Sequence, residues 1–233
     1  MEADMMNTGQ SINRRAMMKT VGIGIGMAGT AKALSAERTP SLHFRNEDFY
    51  TNGKFDLEAA KDAYIELFKY HHYPVFKDAR EKLWISDYGL GEFTRVGLGA
   101  NVFHNHKGEH VGDRYMLLDI YLLPNQMLPE HYHLKTAVAR PKMEGWVVRN
   151  GLSYIVGEGE PTPGLREKVP VSQRSSCTVW HATVARPGEV SQLNRPTERH
   201  WQLAGPEGAI LSEAANYHDG DGVRHSNKKL VFP

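Results

Sequence analysis

The sequence is short of the features that mark specialised classes of protein. It has one cysteine in 233 residues, so no intrachain disulfide can form and stability must come from packing or a bound metal. It has no long hydrophobic run; the apolar, glycine-rich stretch from Val21 to Ala31 is too short to span a bilayer as a helix. Neither sign of charge dominates, with 28 Lys and Arg against 27 Asp and Glu, and no basic run interleaves with aromatics. That balance leaves no footprint for nucleic acid or an anionic membrane. No internal repeat or low-complexity linker divides the chain. What remains is an ordinary globular composition, 40% hydrophobic and 24% charged, at a length that suits one large β-rich domain.

The first 36 residues stand apart from this domain. Ser11-Ile12-Asn13-Arg14-Arg15-Ala16-Met17-Met18-Lys19 precedes the apolar stretch, and Ala31-Lys32-Ala33 follows as a small-x-small cleavage site. Paired arginines, a weak apolar core and a cleavage site in that order predict a twin-arginine export signal. The mature chain would then be periplasmic or extracellular, with no stable membrane insertion after processing.

The remainder, 41–233, reads as a single domain. Asp56 is placed to cap a helix whose apolar face is Leu57, Ala60, Tyr64, Leu67 and Phe68, with Phe55 and Ala60 as a staple. A second short helix is predicted near Val75–Leu83. Both are expected to cover an edge or mouth of a sheet. From Trp84 onward the texture is β-favouring: Phe93–Phe103, Tyr115–Leu123, Glu144–Arg149, Leu152–Val156, Thr178–Ala185, His200–Leu203 and Ala209–Glu213. Asn150-Gly151 predicts a type I′ hairpin, and Gly157–Arg174 a loop at one end of the barrel. Many short strands with turn residues between them indicate a sandwich or barrel, all-β apart from the N-terminal helices. Cys177 falls in a predicted strand and reads as a buried, inert thiol.

Within that frame one set of polar residues carries chemistry. His131 and His133 are two apart, so in a strand they face the same side. Glu144 opens the next strand and His200 a later one. Three imidazoles and a carboxylate suit Mn, Fe, Co, Ni or Zn, with no soft sulfur to select copper(I). His71-His72 and His104-x-His106 lack a carboxylate and a distal histidine in frame and are not read as ligands.

His131-x-His133, Glu144, Gly151, and the distal His200 after Pro196 resemble the two-part metal motif of cupins. Ten residues separate His133 from Glu144, where the common form has only a few, so an inserted loop is expected there. The usual glycine between Pro196 and His200 is also missing. Within cupins the chain resembles the D-lyxose isomerase family. The matching pieces are Trp84-Ile85-Ser86-Asp87-Tyr88-Gly89, Phe93-Thr94-Arg95-Val96-Gly97-Leu98, Lys142-x-Glu144, and Glu213-Ala214-Ala215-Asn216 followed by Asp219, Asp221 and Arg224. The likeness runs from about Trp84 to Arg224. It implies a cupin β-barrel (double-stranded β-helix) with N-terminal helical decoration, a homodimer, and manganese as the usual metal, with zinc, iron(II) or cobalt able to use the same donors.

The resemblance also assigns roles. Glu213 would be the base that moves a proton between neighbouring carbons of a free sugar such as D-lyxose or D-mannose, and Lys142 would hold an oxyanion or hydroxyl. Arg224 would bind distal hydroxyls, with Asp219 and Asp221 orienting it or the substrate. Trp146, Trp180 and Trp201 are expected to fill core or face a sugar. Two other readings share the ligand set: an iron-dependent dioxygenase, and a non-catalytic sugar-binding cupin.

Overall fold

A computed structural model describes residues 42–232. The predicted export signal lies outside the described residues. The elements are β1 (Tyr50–Thr51), β2 (Lys54–Phe55), α1 (Leu57–Tyr70), β3 (Trp84–Ser86), β4 (Leu98–His106), β5 (Tyr115–Leu122), β6 (Met127–His133) and β7 (Glu144–Gly157). They continue with α2 (Leu165–Lys168), α3 (Val171–Arg174), β8 (His181–Ala185), β9 (Val190–Gln192), β10 (His200–Asn216) and β11 (Val223–His225).

The helix α1 begins where predicted because Asp56 Oδ1 accepts hydrogen bonds from the Glu58 and Ala59 amides, at 3.1 and 3.0 Å, satisfying two of the orphan donors of its first turn. Its buried face is Ala60, Ala63, Tyr64, Leu67 and Phe68, while Leu57 stays exposed. That face does not sit at an edge or mouth. It packs with Tyr121, Leu123, Ile85 and Ile210 on the outside of the sheet. Alternation along the strands explains the fit: Ile120 and Leu122 of β5 enter the inner core while Tyr121 points out beneath the helix. The second predicted helix is absent. Residues 77–82 are turns and the rest of 75–83 is irregular, and Asp78 has φ of 62°, a left-handed conformation no α-helix accommodates.

Nine strands form one antiparallel sheet in the order β11-β6-β10-β5-β4-β3, with β7 on the other edge of β10 and β8 and β9 on the far edge of β7. This is the expected all-β cupin barrel. Its spine is the ribbon of β7 and β10. Early β10 pairs with β6 and late β10 with β5, so the strand passes from one sheet half to the other while β7 follows it throughout. Glu144 on β7 is registered with Ala215, at the far end of β10 from His200. Yet the Glu144 and His200 side chains meet at 3.6 Å. The ribbon therefore curls round the barrel.

That curl replaces the predicted hairpin. Asn150 and Gly151 lie inside one continuous strand, and so do the segments expected as separate strands on either side. Gly151 does adopt positive φ, 73°, but at a bulge, opposite Gly208 with φ of 76°. A Cβ on Gly151 would overlap the Gly208 carbonyl. The positive-φ chemistry of the Asn-Gly pair bends a long strand instead of reversing it.

Two strand boundaries also move. β4 starts at Leu98, because the Arg95 and Val96 amides close a turn on the Glu92 carbonyl. β8 starts at His181, because the Thr178 and Val179 amides bond the buried carboxylate of Glu130, at 2.6 and 3.0 Å, and are lost to a ladder. Cys177 is thus buried but not in a strand. Burial and the nearby Glu130 push its thiol up to about 12, so it is inert at neutral pH. The Gly157–Arg174 excursion carries the one-turn helices α2 and α3; Leu165 of α2 and Val169 between the two helices bury against Trp201 and Cys177.

Candidate metal centre and active site

Three strands aim four side chains at one point inside the barrel. β6 supplies His131 and His133, β7 Glu144, and β10 His200. All four are buried, and one ligand atom from each lies within 4.8 Å of every other. The ring orientations are set from behind. His131 Nδ1 donates to the Pro129 carbonyl at 2.9 Å and His200 Nδ1 to the Glu198 carbonyl at 3.0 Å. A carbonyl only accepts, so Nδ1 keeps the proton and each Nε2 presents a lone pair. Burial, reinforced by the neighbouring imidazoles, holds His131 well below its ordinary value, and burial lowers His200 too. Burial alone would raise the Glu144 carboxyl. Lys142, His133 and His200 outweigh it and hold the group well below the usual carboxylate range.

The residues fit a divalent metal on their own hydrogen bonding. Glu144 Oε1, His133 Nε2 and His200 Nε2 are buried without a hydrogen-bond partner. His133 Nε2 and Glu144 Oε1 are 2.6 Å apart, but they are not aligned as donor and acceptor; both face a common centre. Converging buried lone pairs are costly unless a cation joins them. Neutral imidazoles and an ionised carboxylate are also the forms that bind metal.

Beside this centre lies an ion pair. Lys142 Nζ donates to Glu213 Oε1 at 2.5 Å and sits 3.7 Å from Glu144 Oε2. Trp146 Nε1 donates to Glu213 Oε2 at 2.9 Å. Burial raises the Glu213 carboxyl and the Glu144 charge raises it further; Lys142 and Trp146 oppose this without reversing it. Burial would depress Lys142, but Glu144 and Glu213 overcome it and hold the ammonium above its usual value. Two adjacent carboxylates are therefore driven apart in acidity, the pattern of an acid–base site.

These groups share a cavity of about 290 Å³ whose other walls are largely apolar, among them Leu98, Leu118, Ile120 and Leu128. The structure brings His131, His133, Glu144, His200, Lys142 and Glu213 to it, and leaves out Arg224, Asp219 and Asp221. On β11, Arg224 is registered with Tyr132, between the two inward histidines of β6, and so faces out. Its guanidinium donates to the Asp221 and Val223 carbonyls. Asp219 Oδ2 accepts from Thr136 Oγ1 at 2.6 Å, bracing the inserted 134–143 loop, and Asp221 is exposed. In their place the cavity has His218, His225 and Gln202, which sequence reasoning missed. The Val223-Arg224-His225 alternation was the available signal for His225. Trp146 is both core and site, whereas Trp180 and Trp201 pack against each other outside the cavity. His104 and His106 cluster instead with Tyr115.

No family model matches the chain. It is 32% identical over 157 residues to a D-lyxose ketol-isomerase of Thermofilum sp., covering 67% of this chain and 83% of that one. The chain belongs to the D-lyxose ketol-isomerase family. It is likewise 30% identical over 168 residues to a D-lyxose/D-mannose isomerase of Thermosediminibacter oceani, covering 72% of this chain and 89% of that one. Among solved structures, L-ribose isomerase of Acinetobacter sp. DL28 in complex with L-ribose shares the fold with a TM-score of 0.60, at 12% identity, over 75% of this chain and 92% of that one.

Adding manganese or cobalt to metal-stripped protein is expected to raise its melting temperature, since a ligand bound only by the folded state stabilises it. His200→Ala should weaken metal binding by about 100-fold or more and lose most of the rise, read by elemental analysis and calorimetry. Equal metal content in the variant would remove His200 from the ligand set.

Proposed function

We propose that the chain is a metal-dependent aldose–ketose isomerase acting on a free sugar such as D-lyxose or D-mannose. The observation that carries this reading is the buried Glu213 carboxylate, less acidic than usual and held by Lys142 and Trp146 in the same cavity as the histidine–glutamate cluster. A divalent ion held by His131, His133, Glu144 and His200, manganese in our reading, would offset the negative charge that develops on the sugar's adjacent oxygens. Glu213 takes the proton from the carbon bearing the hydroxyl and returns it to the neighbouring carbon, as carbonyl and hydroxyl exchange places. The substrate and product are isomers, so no oxidant or reductant enters. Lys142 keeps Glu213 ionised and turned into the cavity, and supplies positive charge where the oxyanion forms. Trp146 fixes the second carboxylate oxygen. The apolar walls limit exchange of the carried proton with solvent.

We also read residues 1–36 as a twin-arginine export signal and the mature protein as a periplasmic or extracellular homodimer, on the Arg14-Arg15 layout and the family resemblance. Intact-mass and light-scattering measurements on the exported fraction should find a processed N-terminus and twice the chain mass. A cytoplasmic chain that retains Met1 would sink the export reading, and a mass of one chain the dimer.

Glu213→Gln should keep its metal yet lose about 10²–10⁴-fold in the interconversion of lyxose with xylulose and of mannose with fructose. Undiminished turnover would dismiss Glu213 as the base. The acid limb of the wild-type pH profile should lie above the ordinary carboxylate range, because the base must be ionised and its pKa is raised. Lys142 lowers that pKa, so Lys142→Met should move the acid limb to still higher pH, besides reducing the maximal rate. A limb unmoved by Lys142→Met would mean that Glu213 is not the group titrating.

A further inference from the structure

The cavity wall holds polar groups that the proton transfer does not use. Gln202 is wholly buried on β10, two residues past His200, and both line the same cavity. Neither its amide nitrogen nor its amide oxygen has a hydrogen-bond partner. The contrast with another wholly buried glutamine is sharp. Gln126 donates to the Phe93 carbonyl at 2.5 Å and accepts from the Tyr64 hydroxyl and the Leu123 amide, each at 2.9 Å. Among the described residues, Gln202 is the one buried carboxamide with neither its nitrogen nor its oxygen paired; even Asn101, whose oxygen is free, donates to the Ala79 carbonyl. Gln202 is opposite Leu128 of β6 and Ile155 of β7, neither of which offers a side-chain partner.

His225 repeats the pattern. It is registered with His131 across β11 and β6, its ring centroid is 5.7 Å from that of His131, and both of its nitrogens are buried without an aligned partner. One ring edge approaches the Glu130 carbonyl out of alignment for a bond. Tyr88, packed edge-on to His225 at 5.5 Å, likewise carries a buried hydroxyl with no partner. Unsatisfied buried polar groups are rare in folded proteins, and each calls for a ligand, a water or a function. Three in the wall of one cavity, where the remaining lining is mostly apolar, point to a hydroxyl-rich occupant.

Resting on the isomerase reading, we propose that Gln202, assisted by His225, is the subsite that holds the sugar hydroxyls remote from the reacting carbons and so selects among sugar stereoisomers. A carboxamide offers a donor and an acceptor side by side, matched to two neighbouring hydroxyls that each donate and accept. Reversing one carbon's configuration removes one of those bonds and leaves a buried polar atom exposed to apolar wall, which discriminates more strongly than shape does. Proton transfer at Glu213 and selection at Gln202 are then separate parts of one cavity.

The test uses manganese-loaded mature protein and a non-reacting pentitol, D-arabinitol, titrated by calorimetry alongside the isomerase assay. Gln202→Leu should weaken arabinitol binding by at least about tenfold and raise KM similarly, with kcat, metal content and melting temperature retained. A set of monodeoxy pentitols separates contact from scaffold. At least one should bind wild type about tenfold more weakly than arabinitol, and that difference should vanish in Gln202→Leu. Arabinitol binding equal in variant and wild type, deoxy losses equal in both, or no arabinitol binding to wild type at all would each overturn the inference. Gln202→Met, nearest in shape, replaces the leucine variant if that fails to fold. A wild type that binds arabinitol through Gln202 but turns over no sugar would refute the isomerase reading and leave the subsite standing. A wild type that isomerises with Gln202→Leu unaltered would do the reverse.

Discussion

The interior of the barrel contains more negative charge than positive, and the rest of the site follows from that imbalance. Glu144 and Glu213 are both buried, and Lys142 is the one buried ammonium between them, at 3.7 and 2.5 Å. The imidazoles of His131 and His200 do not make up the difference, since burial disfavours their protonation. The deficit is concentrated where the lone pairs of His133, His200 and Glu144 converge. A divalent cation there would turn a penalty into a bound centre. It also explains why Lys142 leans toward Glu213: Glu144 would have the metal, and Glu213 the ammonium. The two carboxylates then serve different chemistry from positions that share one lysine.

Holding charges at such spacing requires a stiff frame, and the β7–β10 ribbon supplies it. Its curl brings Glu144 and His200 together although their strands pair them at opposite ends. The bend depends on backbone contact between Gly151 and Gly208, which no side chain at 151 would permit. The helix α1 buttresses the outside, filling the space over Tyr121 and Ile210, and its C-terminal turn docks on the bulge through His71 Nε2, 2.7 Å from the Glu207 carbonyl. Glu130 does comparable work at the other end, tying β6 to the Thr178–Val179 segment and to Ser226.

Much of this was legible in the sequence. Alternation made His131 and His133 neighbours on one face, and Asp56 announced α1. Where the sequence misled, a tertiary contact had taken over a local signal. Asn150-Gly151 carries hairpin chemistry, but β7 runs through it alongside β10 and uses the positive φ for a bend. Thr178 and Val179 favour a strand, but a distant carboxylate claims their amides. Arg224 has the right chemistry for a sugar, but the register of a three-residue strand turns it outward and gives the cavity His225. Gln202 could not be singled out, because a glutamine is conspicuous only once its cross-strand neighbours, Leu128 and Ile155, are known to leave its amide unpaired.

The donor types, their pairing within strands, the β-rich class and the likeness to sugar isomerases were all readable without a structure, since they depend on residue chemistry, short-range periodicity and motif order. Only the packing of distant strands shows that Lys142 pairs more closely with Glu213 than with Glu144, that Arg224 turns away from the cavity, and that Gln202 and His225 are left unpaired in its wall. Those outcomes depend on a few ångströms between strands far apart in the chain. At that range, burial and neighbouring charge outweigh the intrinsic preference of any single residue.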